Sequence, residues 1–312
     1  MPETTNPDYV GLDISKARLD YTIDENRTAS VSNDAVGHRK LVRWLQKREN
    51  PRVVCEPTGG YERAPVTALL EGGIAVCLAH AGRARYFALS AGLLAKTDRI
   101  DARMLRRYGE AVTLRLAELP DPAHSLLREL VGRRRDLLDR QVELQGQLET
   151  GGNTLRGLVE EELRFLEQQI ATVEKAVATH INDHPSLNQK YLRMQELVGV
   201  GPVLASTLLA YVPELGSIED AAASAIVGVA PYADESGSKT KDRHIKGGRG
   251  EARRVLYMAA VSAIRSNKIL KPFYERLLAN GKPPKVCIVA VMRKMIIVLN
   301  RLLADPNFTL AE

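Results

Sequence analysis

The chain has 312 residues, 45% hydrophobic and only 5% aromatic, with a formal net charge of +6. That length is enough for about two domains, and the scarcity of aromatics argues against nucleic-acid binding on broad stacking platforms. The moderate positive charge suits a polyanionic partner without requiring one. The three cysteines, Cys55, Cys77 and Cys287, form no C-x-x-C pair and are too widely spaced for a zinc cluster or a disulfide framework. Reduced, mostly buried thiols in a cytoplasmic protein are expected. The opening MPETTNPDYV shows no basic-plus-apolar leader pattern. No run reaches the roughly 18 apolar residues of a membrane span. The nearest, residues 286–303, is broken by Arg293, Lys294, Asn300 and Arg301.

In chain order, residues 9–14 (YVGLDI) and 18–23 (RLDYTI) predict two strands, with a weaker third over 28–32. Leu41, Trp44 and Leu45 give 37–48 helical spacing. Residues 52–55 (RVVC) read as a buried strand that ends at Glu56 and is broken by PTGGY. A helix over 61–71, a strand over 74–78, and helices over 83–91 and 97–108 follow. Three leading strands predict an antiparallel meander, and strands reached through helices predict parallel additions to it. The expectation is a ribonuclease H-like α/β domain over 8–118.

After Pro120 and Pro122 the strand signals stop. Two Leu-, Glu- and Arg-rich runs are interrupted by GGN at 151–153. Leu158, Leu163, Leu166, Ile170, Val173 and Val177 fall at helical spacing in the second. A helical coiled-coil stalk is expected over 122–185, although an ordinary bundle segment would show the same pattern. Residues 190–310 read as a mostly α-helical C-terminal domain. It opens with LVGVGPVLASTLL (197–209), which looks like a helix-hairpin-helix, though simple helix-turn packing is the plainer reading. Its last helices carry Leu256, Met258 and Ile264, then Val286, Val289, Met292, Ile296 and Leu299, as a core. Arg293 and Lys294 either flank that core or reach nucleic acid.

Four carboxylates stand out. Asp13 lies late in the first predicted strand, and Glu56 ends the fourth. Asp98 and Asp101, in KTDRIDA, are three apart and share a helix face. If the two strands are neighbours, all four meet in one cleft. Such an oxygen set suits Mg²⁺, with Mn²⁺ as a substitute. Two such ions about 4 Å apart stabilise attacking and leaving oxygens in phosphodiester chemistry. Lys16, Lys96, Arg99 and Arg103 would then face phosphates. Taken singly, each acid has a plainer reading, such as a turn aspartate or a glutamate bonding loop amides.

The stretch 231–250, PYADESGSKTKDRHIKGGRG, reads as a Gly- and Lys-rich loop. From Ser236 to Arg254, Lys239, Lys241, Arg243, Lys246, Arg249, Arg253 and Arg254 stand against Asp242 and Glu251. Its glycines would let backbone approach a phosphate, and its cations would hold a strand without reading bases. A flexible solvated loop is the plainer alternative.

GLDISK (11–16), CEPTGGY (55–61) and KTDRIDA (96–102) resemble the three acidic motifs of the DEDD, RuvC-like insertion-sequence transposases, recombinases guided by a bridge RNA. ESGSKTKDRHIKGGRGEARRVLYMAA (235–260) and residues 267–300 resemble that family's serine-bearing second domain. The resemblance implies a metal site of Asp13, Glu56, Asp98 and Asp101, and a serine that attacks DNA phosphate to form a transient phosphoserine link. Ser236 matches the motif best, with Ser238 as rival. It also implies donor and target DNA, a structured noncoding RNA and a homo-oligomer, dimer or tetramer, as partners. A Holliday-junction-resolvase-like nuclease using water would need only the carboxylates. An actin-like ATPase, suggested by GLDISK alone, would need a second phosphate motif and an adenosine motif, and the sequence offers neither.

Overall fold

The computed structural model describes residues 6–92, 98–119, 121–233, 235–236, 239–240 and 243–310. For residues 98–100, 153, 235–236 and 239–240 it describes the backbone alone. The chain forms two compact units, Met1–Pro120 and Asp121–Glu312.

The first unit runs β1 (Asp8–Ile14), β2 (Arg18–Thr22), β3 (Thr28–Ser32), α1 (Ala35–Leu45), β4 (Pro51–Cys55), α2 (Arg63–Glu71), β5 (Ala75–Leu78), α3 (Ala81–Ser90) and α4 (Asp98–Ala111). The sheet order is β3-β2-β1-β4-β5. β1, β2 and β3 pair antiparallel, whereas β4 and β5 add in parallel. This mixed sheet is the predicted meander with its parallel extensions, consistent with a ribonuclease H-like domain. Beyond α4 the chain returns to the sheet edge, where Leu116 bridges Cys77 and the Ala117 N–H donates to the Val76 carbonyl. Nothing in the sequence predicts that return.

Alternation sorts the sheet into two faces. Val10, Leu12, Ile14, Leu19, Tyr21, Val53 and Cys55 pack with Leu41 and Leu45 of α1 and Val66 and Leu69 of α2. The opposite face carries Val54 and Cys77 against Ala84 and Ala88 of α3 and Met104, Leu105 and Tyr108 of α4. Helix α4 lies very close to β1. A Cβ on Gly11 would stand 1.8 Å from the Ala102 carbonyl oxygen, and one on Gly109 would meet Val54 and Tyr9. These two contacts run α4 antiparallel to β1, with its N-terminus at the end of β1 that carries Asp13.

The second unit opens with α5 (Pro122–Thr150), a 3₁₀ turn (Asn153–Leu155) and α6 (Arg156–Asp183). The two helices form an antiparallel hairpin sealed by Leu137, Leu144 and Leu166. Arg134–Glu174 (2.7 Å) and Arg140–Glu162 (2.9 Å) bridge across it. Its base joins a larger core through Leu127, Val131, Val177 and Ile181. Then come α7 (Pro185–Gln195), α8 (Pro202–Tyr211), α9 (Asp220–Val227), four two-residue strands, α10 (Gly250–Ser266), α11 (Leu270–Ala279) and α12 (Pro284–Ala304).

Every residue of α8 from Leu204 to Ala210 is buried. The turn before it joins α7 to α8. Gly199, at φ +106°, presses on Ala263 of α10, and buried Asn267 donates to the Val198 carbonyl at 2.8 Å. Asn300, which interrupts the apolar run of α12, is also buried. It donates to the Ile218 carbonyl and Asp220 and accepts from the Gly216 amide. Among the described residues no helix is long and apolar enough to cross a membrane. All three cysteines are buried thiols, and burial pushes Cys55 up to about 12.

The basic stretch that reads as a loop is a two-tier β-ribbon. β6 (Pro231–Tyr232) pairs antiparallel with β9 (His244–Ile245), and β7 (Glu235–Ser236) with β8 (Lys239–Thr240). Its ends meet at glycines. A Cβ on Gly248 would lie 2.3 Å from the Gly228 nitrogen, and both residues have positive φ.

Candidate active site

The sheet register builds the acidic end of the first unit. β1 and β4 pair in parallel with Leu12 opposite Cys55. The next residues, Asp13 and Glu56, are therefore neighbours at the same edge. Both are half-buried, and both lie on the α4 side, because their predecessors Leu12 and Cys55 face α1 and α2. Ala102 of α4 covers Gly11, two residues back along the same face. Half-buried Asp101 immediately precedes it, and Asp98 starts the helix one turn earlier. The structure thus brings the backbones of Asp13, Glu56, Asp98 and Asp101 to one end of the unit. The Asp98 side chain lies outside the described residues. Among the described ones, no three Asp, Glu, His or Cys side chains are grouped to hold a metal ion. The chemistry of the four, all carboxylate oxygens, fits a hard divalent cation.

Two residues of this region escape the sequence reading. Asp20 is 6% exposed and stands directly across from Asp13 in the antiparallel register. It is ion-paired with Arg18 at 2.9 Å. Asp13 thereby stands between Asp20 on β2 and Glu56 just past the end of β4. Glu62 accepts the Thr58 and Gly60 amides at 2.9 and 2.8 Å and so holds the PTGGY loop that follows Glu56. Burial opposes its ionisation, but amide bonds from Thr58, its own N–H and Gly60 outweigh that and hold its carboxyl below the usual value.

In the second unit, Ser236 and Lys239 are cross-strand partners in the upper tier of the ribbon. Ser236 is thus the last described residue of β7. Gly237, Ser238 and Lys241 lie outside the described residues, as does Lys96 in the first unit.

Two family models match the chain. A transposase model covers residues 10–156, and a model of the transposase IS116/IS110/IS902 family covers residues 192–275. These matches place the chain in the IS110-type transposase family. Two curated relatives, the pilin gene-inverting proteins of Moraxella lacunata and Moraxella bovis, are each 23% identical to it over 301 residues. The alignment covers 93% of this chain and 94% of each relative. The transposase is therefore an enzyme of DNA transposition and recombination. Its first matched region contains all four carboxylates and its second contains Ser236.

The cations of the transposase divide by what they touch. Lys16 is exposed in the tight turn between β1 and β2. Arg103 is half-buried and donates to the Asn26 carbonyl, so it ties α4 to the loop between β2 and β3. The Arg99 side chain is not described. Arg249 grips Glu214 through two bonds of 2.5 and 2.6 Å and also donates to the Tyr211 carbonyl. Arg253 reaches the Gly228 and Gly247 carbonyls and clamps the ribbon's neck. Arg254, half exposed, pairs with Asp139 at 3.0 Å and Glu251 at 3.5 Å. Lys294 lies over the Phe273 ring at 4.7 Å. The expected phosphate contacts at Arg103, Arg249 and Arg253 thus have structural employment within the fold. The reason is simple: an Arg side chain donates to whatever acceptor packing brings near, and those acceptors are far away in sequence. Arg243 and Lys246 remain exposed, as does Arg293. The side chain of Lys239 is not described.

Proposed function

We propose that this transposase breaks and rejoins DNA strands through a phosphoserine link formed by Ser236, at a metal site made by Asp13, Glu56, Asp98 and Asp101. The register that sets Asp13 beside Glu56, with α4 beginning over the same edge, is the observation that supports it. The Ser236 hydroxyl oxygen forms a bond to phosphorus as the bond to one strand oxygen breaks. The serine proton leaves to a base, and the departing strand oxygen takes up a proton. The phosphodiester count is conserved, so a second strand's hydroxyl can reverse the step and release the serine. When bound, Mg²⁺ or Mn²⁺ supplies charge stabilisation at the phosphate oxygens. Lys239, across the ribbon from Ser236, and exposed Lys246 and Arg243 would position the backbone of the strand.

The partners are donor and target DNA and, by the motif resemblance, a structured noncoding bridge RNA that carries target choice by base pairing. The transposase would act as a homo-oligomer. Leu158 and Phe165, seven residues apart on one face of α6, are each more than half exposed, an apolar stripe suited to a second copy of the chain. Replacing Leu158 and Phe165 together with glutamate is expected to lower the mass by light scattering to that of a smaller assembly, with the helical circular dichroism retained. An unchanged mass would place the interface elsewhere.

The test of the chemistry is strand transfer between paired donor and target DNA with Mg²⁺ and the RNA of the element's ends. The wild-type protein should yield a covalent protein–DNA adduct on a denaturing gel. Ser236→Ala should abolish the adduct and slow cleavage by a thousandfold or more, about 4 kcal/mol. Cleavage that persists in Ser236→Ala without an adduct would mean that water attacks, as in a resolvase-like nuclease.

A further inference from the structure

Helix α12 has two apolar faces where a helix at a domain's surface needs one. Ile288, Val291, Met292, Met295 and Ile296 are buried in the core. Val286, Val289 and Ala290 lie on an adjoining stripe, with Val286 52% exposed and Val289 half-buried against the edge of that core. They form one wall of a groove of about 290 Å³. The other wall is the lower tier of the ribbon, Pro231 and Ile245, with Val229 beneath. Lys285 and Arg293 rise from the α12 side, and Arg243 and His244 from the ribbon side. No carboxylate is among the described lining residues.

An apolar floor between cationic rims selects a flat apolar group attached to an anion. The volume is at the small end of ligand pockets, roughly 300 Å³, which suits one unit of such a ligand. We propose that this groove binds a single unstacked nucleotide of the DNA strand being cut, its base against Val286, Val289 and Ala290 and its flanking phosphates against Arg243, Lys285 and Arg293. DNA is the occupant because the groove lies at the foot of the ribbon whose upper tier carries Ser236. In this respect the assignment rests on the serine reading above. A second copy of the same groove would bring like charges together. The arrangement would hold a strand open beside the nucleophile without reading its sequence, since every base has an apolar face.

Binding is measured by anisotropy at one fixed salt concentration, with every protein carrying Ser236→Ala so that no chemistry intervenes. The probes are a short single-stranded DNA, the same DNA as duplex, and the same sequence as single-stranded RNA. Ala290→Phe, which fills the floor without altering charge, is expected to weaken single-stranded DNA binding about tenfold while duplex binding changes little. Lys285→Ser with Arg293→Ser should weaken it at least as much. If Ala290→Phe does not fold, Val286→Trp, at an exposed position and likewise uncharged, takes its place. A folded filled-groove variant that binds single-stranded DNA like its parent overturns the proposal. So does a loss confined to the RNA probe, which makes RNA the occupant, or a loss of self-association in place of DNA binding. The adduct test of Ser236 can fail while this binding difference stands, and the reverse, so the two readings are separable.

Discussion

Asp13→Asn should leave the transposase folded and abolish its DNA cleavage. Asp13 stands opposite Asp20, and Glu56 follows directly on the end of β4 beside it, so three carboxylates gather at one end of the sheet. Like charges directly opposite in a sheet are destabilising, and asparagine removes one of them while keeping shape and most hydrogen-bonding capacity. Thermal stability without divalent ion should therefore hold or rise slightly. Activity should fall a thousandfold or more, since charge stabilisation by a bound metal is worth several kcal/mol. A readout independent of activity separates metal binding from other roles. In the wild type, added Mg²⁺ or Mn²⁺ should raise the melting temperature through linkage, and in Asp13→Asn this rise should vanish. A variant that still responds to the ion like wild type would remove Asp13 from the ligand set.

Gly11→Ala acts on the same site through packing alone. Its new methyl group would lie 1.8 Å from the Ala102 carbonyl oxygen and 2.6 Å from the Arg106 nitrogen. Both are backbone atoms in mid-helix, so no side chain can swing aside. Helix α4 must move off β1, against the contacts of Met104, Leu105 and Tyr108 with the sheet. Overpacking of this kind costs about 3 kcal/mol, on the order of 10 °C in melting temperature for a unit of this size. Because α4 starts with Asp98 and carries Asp101, the shift also pulls half of the acidic set from Asp13 and Glu56. Denaturant unfolding of the isolated change, beside the cleavage assay, checks both effects. Unaltered stability would mean that the close approach of α4 and β1 is mistaken.

The frame of the first unit was legible in the sequence because its strands alternate and its helices repeat. Residues 9–14 and 18–23 carry their apolar side chains on one parity, and the chain folds on that parity. Asp20 was not legible as a neighbour of Asp13. It sits in an alternating L-D-Y-T, where a polar residue reads as solvent-facing, yet that face is covered by α4. The signal was present in the parity itself, since Leu19 and Tyr21 facing α1 and α2 sends Asp20 to the side of Asp13. The ribbon was not legible at all, because two-residue strands are too short to show a period. Nor were the partners of Arg249 and Arg253. A run of cations reads as a phosphate-binding surface until Glu214 and the carbonyls of Gly228 and Gly247 are placed next to it in space. The long helices were plain from their leucine spacing, whereas their pairing into one hairpin with a base in the second unit's core depended on contacts that spacing does not encode.

The glycine neck of the ribbon has a consequence for how such a protein can change. The chain leaves the helical core at Gly228 and re-enters it at Gly248, where the two backbones touch and the Arg249 amide bonds the Ile226 carbonyl. Beyond this contact the β6–β9 pairing closes the excursion a second time, with its lower tier beside α12. Changes confined to the upper tier leave the entry, the exit and the lower tier in place. Related chains can thus vary the tier that carries Ser236 on an unchanged scaffold.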